Sequence, residues 1–84
     1  MIKCYLIVPV DNGYTRLCES KETGLQYLES KGSLNFKETI LFLNKNNAEL
    51  WLQLWGMEHQ YLAEECWLSP NIVAQCSWSE RYEQ

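Results

Sequence analysis

From Ile2 to Val10 the chain alternates, with Cys4, Leu6, Val8 and Val10 on one side and Lys3, Tyr5 and Ile7 on the other. A period of two with apolar residues on both sides predicts a strand whose two faces are partly covered. Asp11-Asn12-Gly13 follows, and Asn-Gly supplies the two positive φ values of a type I′ turn, so a hairpin into Tyr14 to Cys18 is expected. Ser20 is placed to cap a helix, with Glu22 in its first turn, Leu25 and Leu28 facing the core and Gly32 as its stop. Gly24 inside that helix costs about 1 kcal/mol relative to alanine, a cost that packing has to offset. Residues 36–43 read as an interior strand, because Ile40, Leu41, Phe42 and Leu43 are apolar on both faces. Asn44-Lys45-Asn46-Asn47 breaks it, an asparagine caps the next helix, and Glu49 is expected in that helix's first turn.

The last third admits two readings. In one, a single helix over 47–68 carries Leu50, Leu54, Met57 and Tyr61 in a stripe, and Ser69-Pro70 opens a final short helix with proline at its first position. In the other, the helix ends at Gly56 and a hairpin joins Tyr61–Leu68 to Ile72–Trp78 around Ser69-Pro70-Asn71. Glu58 and Glu65 would lie within the apolar arc of the long helix, which favours the hairpin. A faint internal echo also ends the helix at Gly56: Thr15–Gly32 laid on Thr39–Gly56 matches at Thr, Leu, Lys, Leu and Gly, with Tyr27 opposite Trp51. The expected fold is therefore α+β, a single domain over residues 1–84 with hairpin, helix, strand, helix and a C-terminal hairpin.

Charge changes the picture. No lysine or arginine lies between Lys45 and Arg81, and all four tryptophans, Trp51, Trp55, Trp67 and Trp78, fall in that interval. From Asn46 onward there are six carboxylates against one cation, whereas residues 1–45 hold five against six. A one-sided electrostatic surface is the expectation. Nucleic-acid binding is disfavoured, because the only basic group is the modest set Lys3, Arg16, Lys21, Lys31, Lys37 and Lys45. The first ten residues lack a cleavage site and are broken by Pro9, so neither a signal peptide nor a membrane span is expected there. A cytoplasmic setting follows, in which Cys4, Cys18, Cys66 and Cys76 are read as thiols.

Candidate chemistry is sparse. The spacing of the four cysteines contains no close ligand pair, so no metal and no cofactor is expected. No phosphate loop, nucleophile elbow or His-Glu-x-x-His run occurs. An alternative enzyme or ligand-binding reading would use Cys66, His59 and Glu58, but nothing marks the third group that orients an activated thiol. Glu64 and Glu65 are adjacent and cannot share one face as an acid–base pair. The expected activity is thus binding, with no catalysis: aromatic anchors supply contact energy while clustered carboxylates steer toward a larger basic protein, such as a nuclease or nucleic-acid-binding complex. Trp51, Trp55, Glu58, Glu64 and Glu65 are the candidate partner-binding residues. Small phage or mobile-element anti-defence proteins, including anti-CRISPR proteins, and bacterial nuclease immunity proteins share this physical type by analogy of size and charge, with no family motif behind the analogy. A self-associating structural subunit is the further alternative.

Overall fold

A computed structural model describes residues 1–76, and the remaining positions, Trp78 among them, lie outside the described residues. Strand β1 (Ile2–Pro9) is flanked on its two edges by β4 (Leu41–Phe42) and β5 (Tyr61–Leu68), both antiparallel to it. Strands β2 (Thr15–Glu19) and β3 (Gln26–Ser30) form a second antiparallel ladder. Residues 38–42 link the two ladders. Glu19 N–H donates to Glu38 O at 2.9 Å and Ile40 N–H to Leu17 O at 3.2 Å, after which Leu41 and Phe42 pair with Leu6 and Tyr5. Helix α1 (Lys45–Leu54) lies between β4 and β5 in the chain, and the short α2 (Pro70–Gln75) follows β5. The molecule is α+β, and among the described residues no helix is long and apolar enough to cross a membrane.

The alternation in β1 sorts its side chains as the sequence predicts. Ile7 joins Leu17, Ile40, Phe42, Ala48, Trp51 and Leu52 in a cluster beneath α1. Cys4, Leu6 and Val8 join Phe36, Leu41 and Cys76 in a cluster on the other face, against which Ile72 and Val73 of α2 pack. Ile40, Leu41 and Phe42 are all fully buried, so the interior strand read from their apolar run is interior, although its regular pairing is shorter than expected.

Three local expectations are corrected. Strands β1 and β2 are hairpin-like neighbours in the chain, yet they do not hydrogen-bond to each other, because both edges of β1 are taken by β4 and β5. The Asn12-Gly13 turn is not type I′, since neither residue has positive φ; Asn12 N–H donates to Pro9 O and Thr15 N–H to Asn12 O, both at 3.3 Å, in two successive turns. The helix predicted over 20–32 is a turn followed by β3. Its cap signal is real but local: Ser20 Oγ accepts from Thr23 N–H at 3.2 Å, then Gly24 at φ +71° turns the chain back toward β2. The echo aligns Gly24 with Ala48, which is buried in α1, so one copy reverses where the other propagates a helix.

The second helix obeys its signals. Asn44 caps it, its side chain accepting from Asn47 N–H at 3.2 Å; Glu49 falls just past the first turn. At the other end Gly56 takes φ +66°, Gly56 N–H donates to Gln53 O and Met57 N–H to Leu52 O at 2.8 Å. That pair of bonds is a Schellman stop, accompanied by the expected apolar contact of Met57 with the cluster containing Leu52. The long helix over 47–68 is thereby excluded and β5 begins at Tyr61. The expected second strand of a C-terminal hairpin is instead α2: Ser69 Oγ accepts from Ile72 N–H at 3.3 Å, Pro70 fits a first helical turn, and β5 pairs with β1.

Arg16 is buried among the strand residues of β2, and the loop after β3 wraps around its guanidinium. Nearby, Tyr27 O–H donates to Glu38 Oε1 at 2.5 Å while Lys21 N–H donates to Glu38 Oε2 at 2.8 Å. The Tyr27 hydroxyl, and after it the Lys21 amide, hold the Glu38 carboxyl below its ordinary value; the same bond pushes the Tyr27 phenol up. A carboxylate whose pKa is lower folded than unfolded contributes stability above the unfolded value, and loses it as pH falls through the folded one. Tyr27→Phe is accordingly expected to move the Glu38 carboxyl upward in an NMR titration and to flatten the acid limb of the stability profile. An unchanged Glu38 titration would show that the hydrogen bond does not act on it.

Candidate functional site

Lys45, Glu49 and Gln53 recur every fourth residue and so share one flank of α1. The Schellman stop and the reversal after it, in which Gln60 N–H and Tyr61 N–H both donate to Met57 O, lay the start of β5 beside that flank. Between them lies a groove of about 310 Å³ lined by Glu49 and Gln53 from the helix, Glu58 from the connection and Leu62 from β5. Among the described residues β5 pairs with β1 alone, so its outer edge presents unpaired backbone groups along the groove. Neither Glu49 nor Glu58 has a lysine or arginine partner among the described residues.

The residues singled out from the sequence are only partly brought together. Trp51 is 2% exposed and its ring meets that of Phe42 at 5.7 Å, so it is a core residue and not a surface anchor. Trp55, the C-cap residue, is 62% exposed. Glu58 lines the groove, at 3.8 Å from the exposed His59. Glu64 and Glu65 point to opposite faces of β5, and each meets a cation from the N-terminal half: Lys31 bonds both oxygens of Glu64 at 2.7 Å, and Lys3 lies 3.6 Å from Glu65. The charge split along the chain therefore does not survive intact in space. Strand pairing interleaves the two halves, and Arg16 is buried out of the basic set, so that of the described carboxylates in the C-terminal half Glu64 and Glu65 meet a lysine while Glu49 and Glu58 meet no lysine or arginine among the described residues. Trp67, half exposed and 5.8 Å under Lys3 Nζ, was not among the candidates; its alternation with Glu65 and Ala63 on β5 is the signal that places it on the α1 side.

Glu58, His59 and Cys66 do not form a catalytic trio. His59 lines a different cavity, of about 410 Å³, with Leu28, Asp11 and Tyr61, and the Cys66 thiol lies against Cys4, with 3.3 Å between the sulfurs. The Cys4 thiol, hydrogen-bonded to Cys66, is pushed up, whereas Cys66 is lowered by the same bond. Burial raises Cys18 and pushes Cys76 up to about 11. All four thiols are free, and no group of three or more potential ligands among the described residues is arranged to hold a metal ion. Comparison of the chain with protein-family models, with curated proteins and with solved structures finds no match.

Proposed function

We propose that the protein acts by binding a larger protein with a basic surface, and that it does so through the groove between α1 and the outer edge of β5. The observation that carries this reading is the pair Glu49 and Glu58, with no lysine or arginine partner among the described residues, lining a groove beside a strand edge that no described strand pairs. An extended basic segment satisfies both features at once: its backbone adds to β5 while its lysines or arginines reach the two carboxylates. Trp55, exposed at the C-cap of α1 and not itself part of the groove's lining, offers a further aromatic contact to a partner large enough to cover the end of the helix. Glu64 and Glu65, already neutralised by Lys31 and Lys3, contribute less than the sequence alone implies. Basic surfaces evolved for nucleic acid fit this description, and blocking a nucleic-acid-processing enzyme, as an inhibitor or adaptor of the anti-CRISPR or nuclease-immunity type does, is the role this chemistry serves best.

Affinity capture with the full chain tests it. The wild type is expected to retain a basic protein that is released at raised salt and by competing duplex nucleic acid, while the Glu49→Lys, Glu58→Lys double variant, folded by circular dichroism, captures none. Retention of the same protein by the double variant sinks the proposal. Self-association is the second reading, favoured by Leu50, Leu54 and Trp55, which leave apolar surface open on the outside of α1. Light scattering decides it: a dimer that Leu54→Lys dissociates supports it, and a monomer at millimolar concentration removes it.

A further inference from the structure

Cys4 and Cys66 are direct register partners across β1 and β5. Directly opposed residues of an antiparallel pair hold their Cα atoms about 4.5–5.5 Å apart, inside the roughly 4.4–6.8 Å that disulfides span. Their sulfurs are already 3.3 Å apart, and both are in the thiol state. A bond between them therefore needs side-chain rotation without displacement of either strand. We propose that Cys4 and Cys66 form a thiol–disulfide exchange site, at which a low-molecular-weight disulfide such as oxidised glutathione converts the pair into a cross-strand disulfide joining β5 to β1.

The two cysteines differ in the way the reaction needs. Cys4 is 0% exposed, whereas Cys66 is partly open to solvent, so an entering disulfide meets Cys66 first. The Cys4 thiol next to it favours the Cys66 thiolate and outweighs partial burial, which opposes it; Lys31 adds to the favourable effect while Glu64 and Glu65 act against it. The Cys66 thiolate attacks one sulfur of the small disulfide, forming a mixed disulfide and expelling one thiolate. The Cys4 thiol gives its proton to that thiolate; its sulfur then attacks Cys66 Sγ and expels the second, which takes the proton Cys66 released to solvent. Overall two protein thiols lose two hydrogens and form one S–S bond, and the small disulfide is reduced to two thiols. Cys76 belongs to the same cluster, but it is no register partner of Cys66 and its thiol donates to Ile72 O at 3.5 Å, which makes it a bystander. The site lies on the face of β1 away from α1, so it is independent of the binding groove.

The full chain, reduced and desalted, is incubated with oxidised glutathione at neutral pH, then analysed by intact mass and peptide mapping. The wild type is expected to lose two hydrogens, to retain no glutathione and to yield a Cys4–Cys66 cross-link. Because the bond closes a long loop, the thermal midpoint is expected to rise by at least about 5 °C on oxidation and to return on reduction. Cys4→Ser, or Cys4→Ala where serine impairs folding, is expected to stop at one glutathione on Cys66; Cys66→Ser is expected to give neither adduct nor cross-link at this pair. A glutathione that stays on wild-type Cys66, a cross-link through Cys18 or Cys76, or a pair still reduced when a flexible control dithiol is fully oxidised would each overturn the proposal.

Discussion

Arg16→Lys is expected to lower folding stability by about 3 kcal/mol, and Arg16→Ala to leave little folded protein. All five guanidinium N–H groups are used: Nε donates to Thr39 Oγ1 at 3.2 Å, Nη1 to Ser30 O and Lys31 O at 3.0 and 3.1 Å, and Nη2 to Ser33 O and Asn35 O at 2.9 and 3.1 Å. The plane also lies 4.0 Å from the centre of the Phe36 ring. No carboxylate among the described residues pairs with it, so carbonyl dipoles and one hydroxyl stabilise the buried charge. The loop over 31–35 has no regular secondary structure of its own, and beyond the Lys31 N–H bond to Tyr14 O at 2.9 Å it is Arg16 that ties its carbonyls to β2. Lysine brings three donors on a tetrahedral nitrogen and no flat surface for Phe36; at least two of the five acceptors lose their partner, at about 1–3 kcal/mol for each buried group left unsatisfied. Set against a total of about 0.05–0.15 kcal/mol per residue, that is a large share of the stability of so small a chain. With a urea slope of about 1 kcal/mol/M, the midpoint of Arg16→Lys should fall by about 2–3 M, while Lys45→Ala at the exposed start of α1 stays within about 0.5 kcal/mol of wild type. A midpoint for Arg16→Lys close to wild type would show that the network adds nothing.

What was legible in the sequence was local and periodic. The two faces of β1 and the asparagine cap of α1 follow from alternation and capping chemistry, while the stop at Gly56 and the strand over Tyr61–Leu68 follow from the internal echo and from the charges that a longer helix would bury. The helix expected over 20–32 failed because the same serine side chain that starts a helix also closes a turn, and Gly24 decided between them. Ser69-Pro70 posed a similar choice and resolved toward α2, since Ile72 and Val73 reach the cluster around Cys4 only from a helix that folds back. The candidate site suffered from long-range pairing. The register that sets Lys3 opposite Trp67 and brings Lys31 to Glu64 joins residues some sixty and thirty positions apart, and no window of sequence contains both partners. Arg16 was counted as surface charge for the same reason: its acceptors are backbone carbonyls of a later loop, which have no signature in residue type.

The tryptophans separate core from surface most sharply, and the contrast between Trp51 and Trp55 is the second large expected effect. Both lie in the cation-free interval and differ by one turn of α1, so nothing in their immediate sequence distinguishes them. In the folded chain Trp51 fills the space under α1 against Phe42, beside fully buried Ile7, Ile40 and Ala48. Trp51→Ala removes the largest fully buried side chain and opens a cavity that the strands around it have little room to close, at an expected cost of about 3–5 kcal/mol. Trp55, at the C-cap just before the Gly56 stop, is 62% exposed, and Trp55→Ala should change stability by no more than about 0.5 kcal/mol. Binding should show the reverse dependence: Trp55→Ala keeps the fold and loses captured partner, because a solvent-facing indole acquires its apolar contacts only in a complex. Urea melts and capture with the same two variants read both effects. Fluorescence adds a direct check, since iodide should quench the emission that Trp55→Ala deletes and spare the blue emission that Trp51→Phe deletes. Equal destabilisation by Trp51→Ala and Trp55→Ala would mean that α1 does not present the faces described, and the groove beside β5 would lose its helical wall.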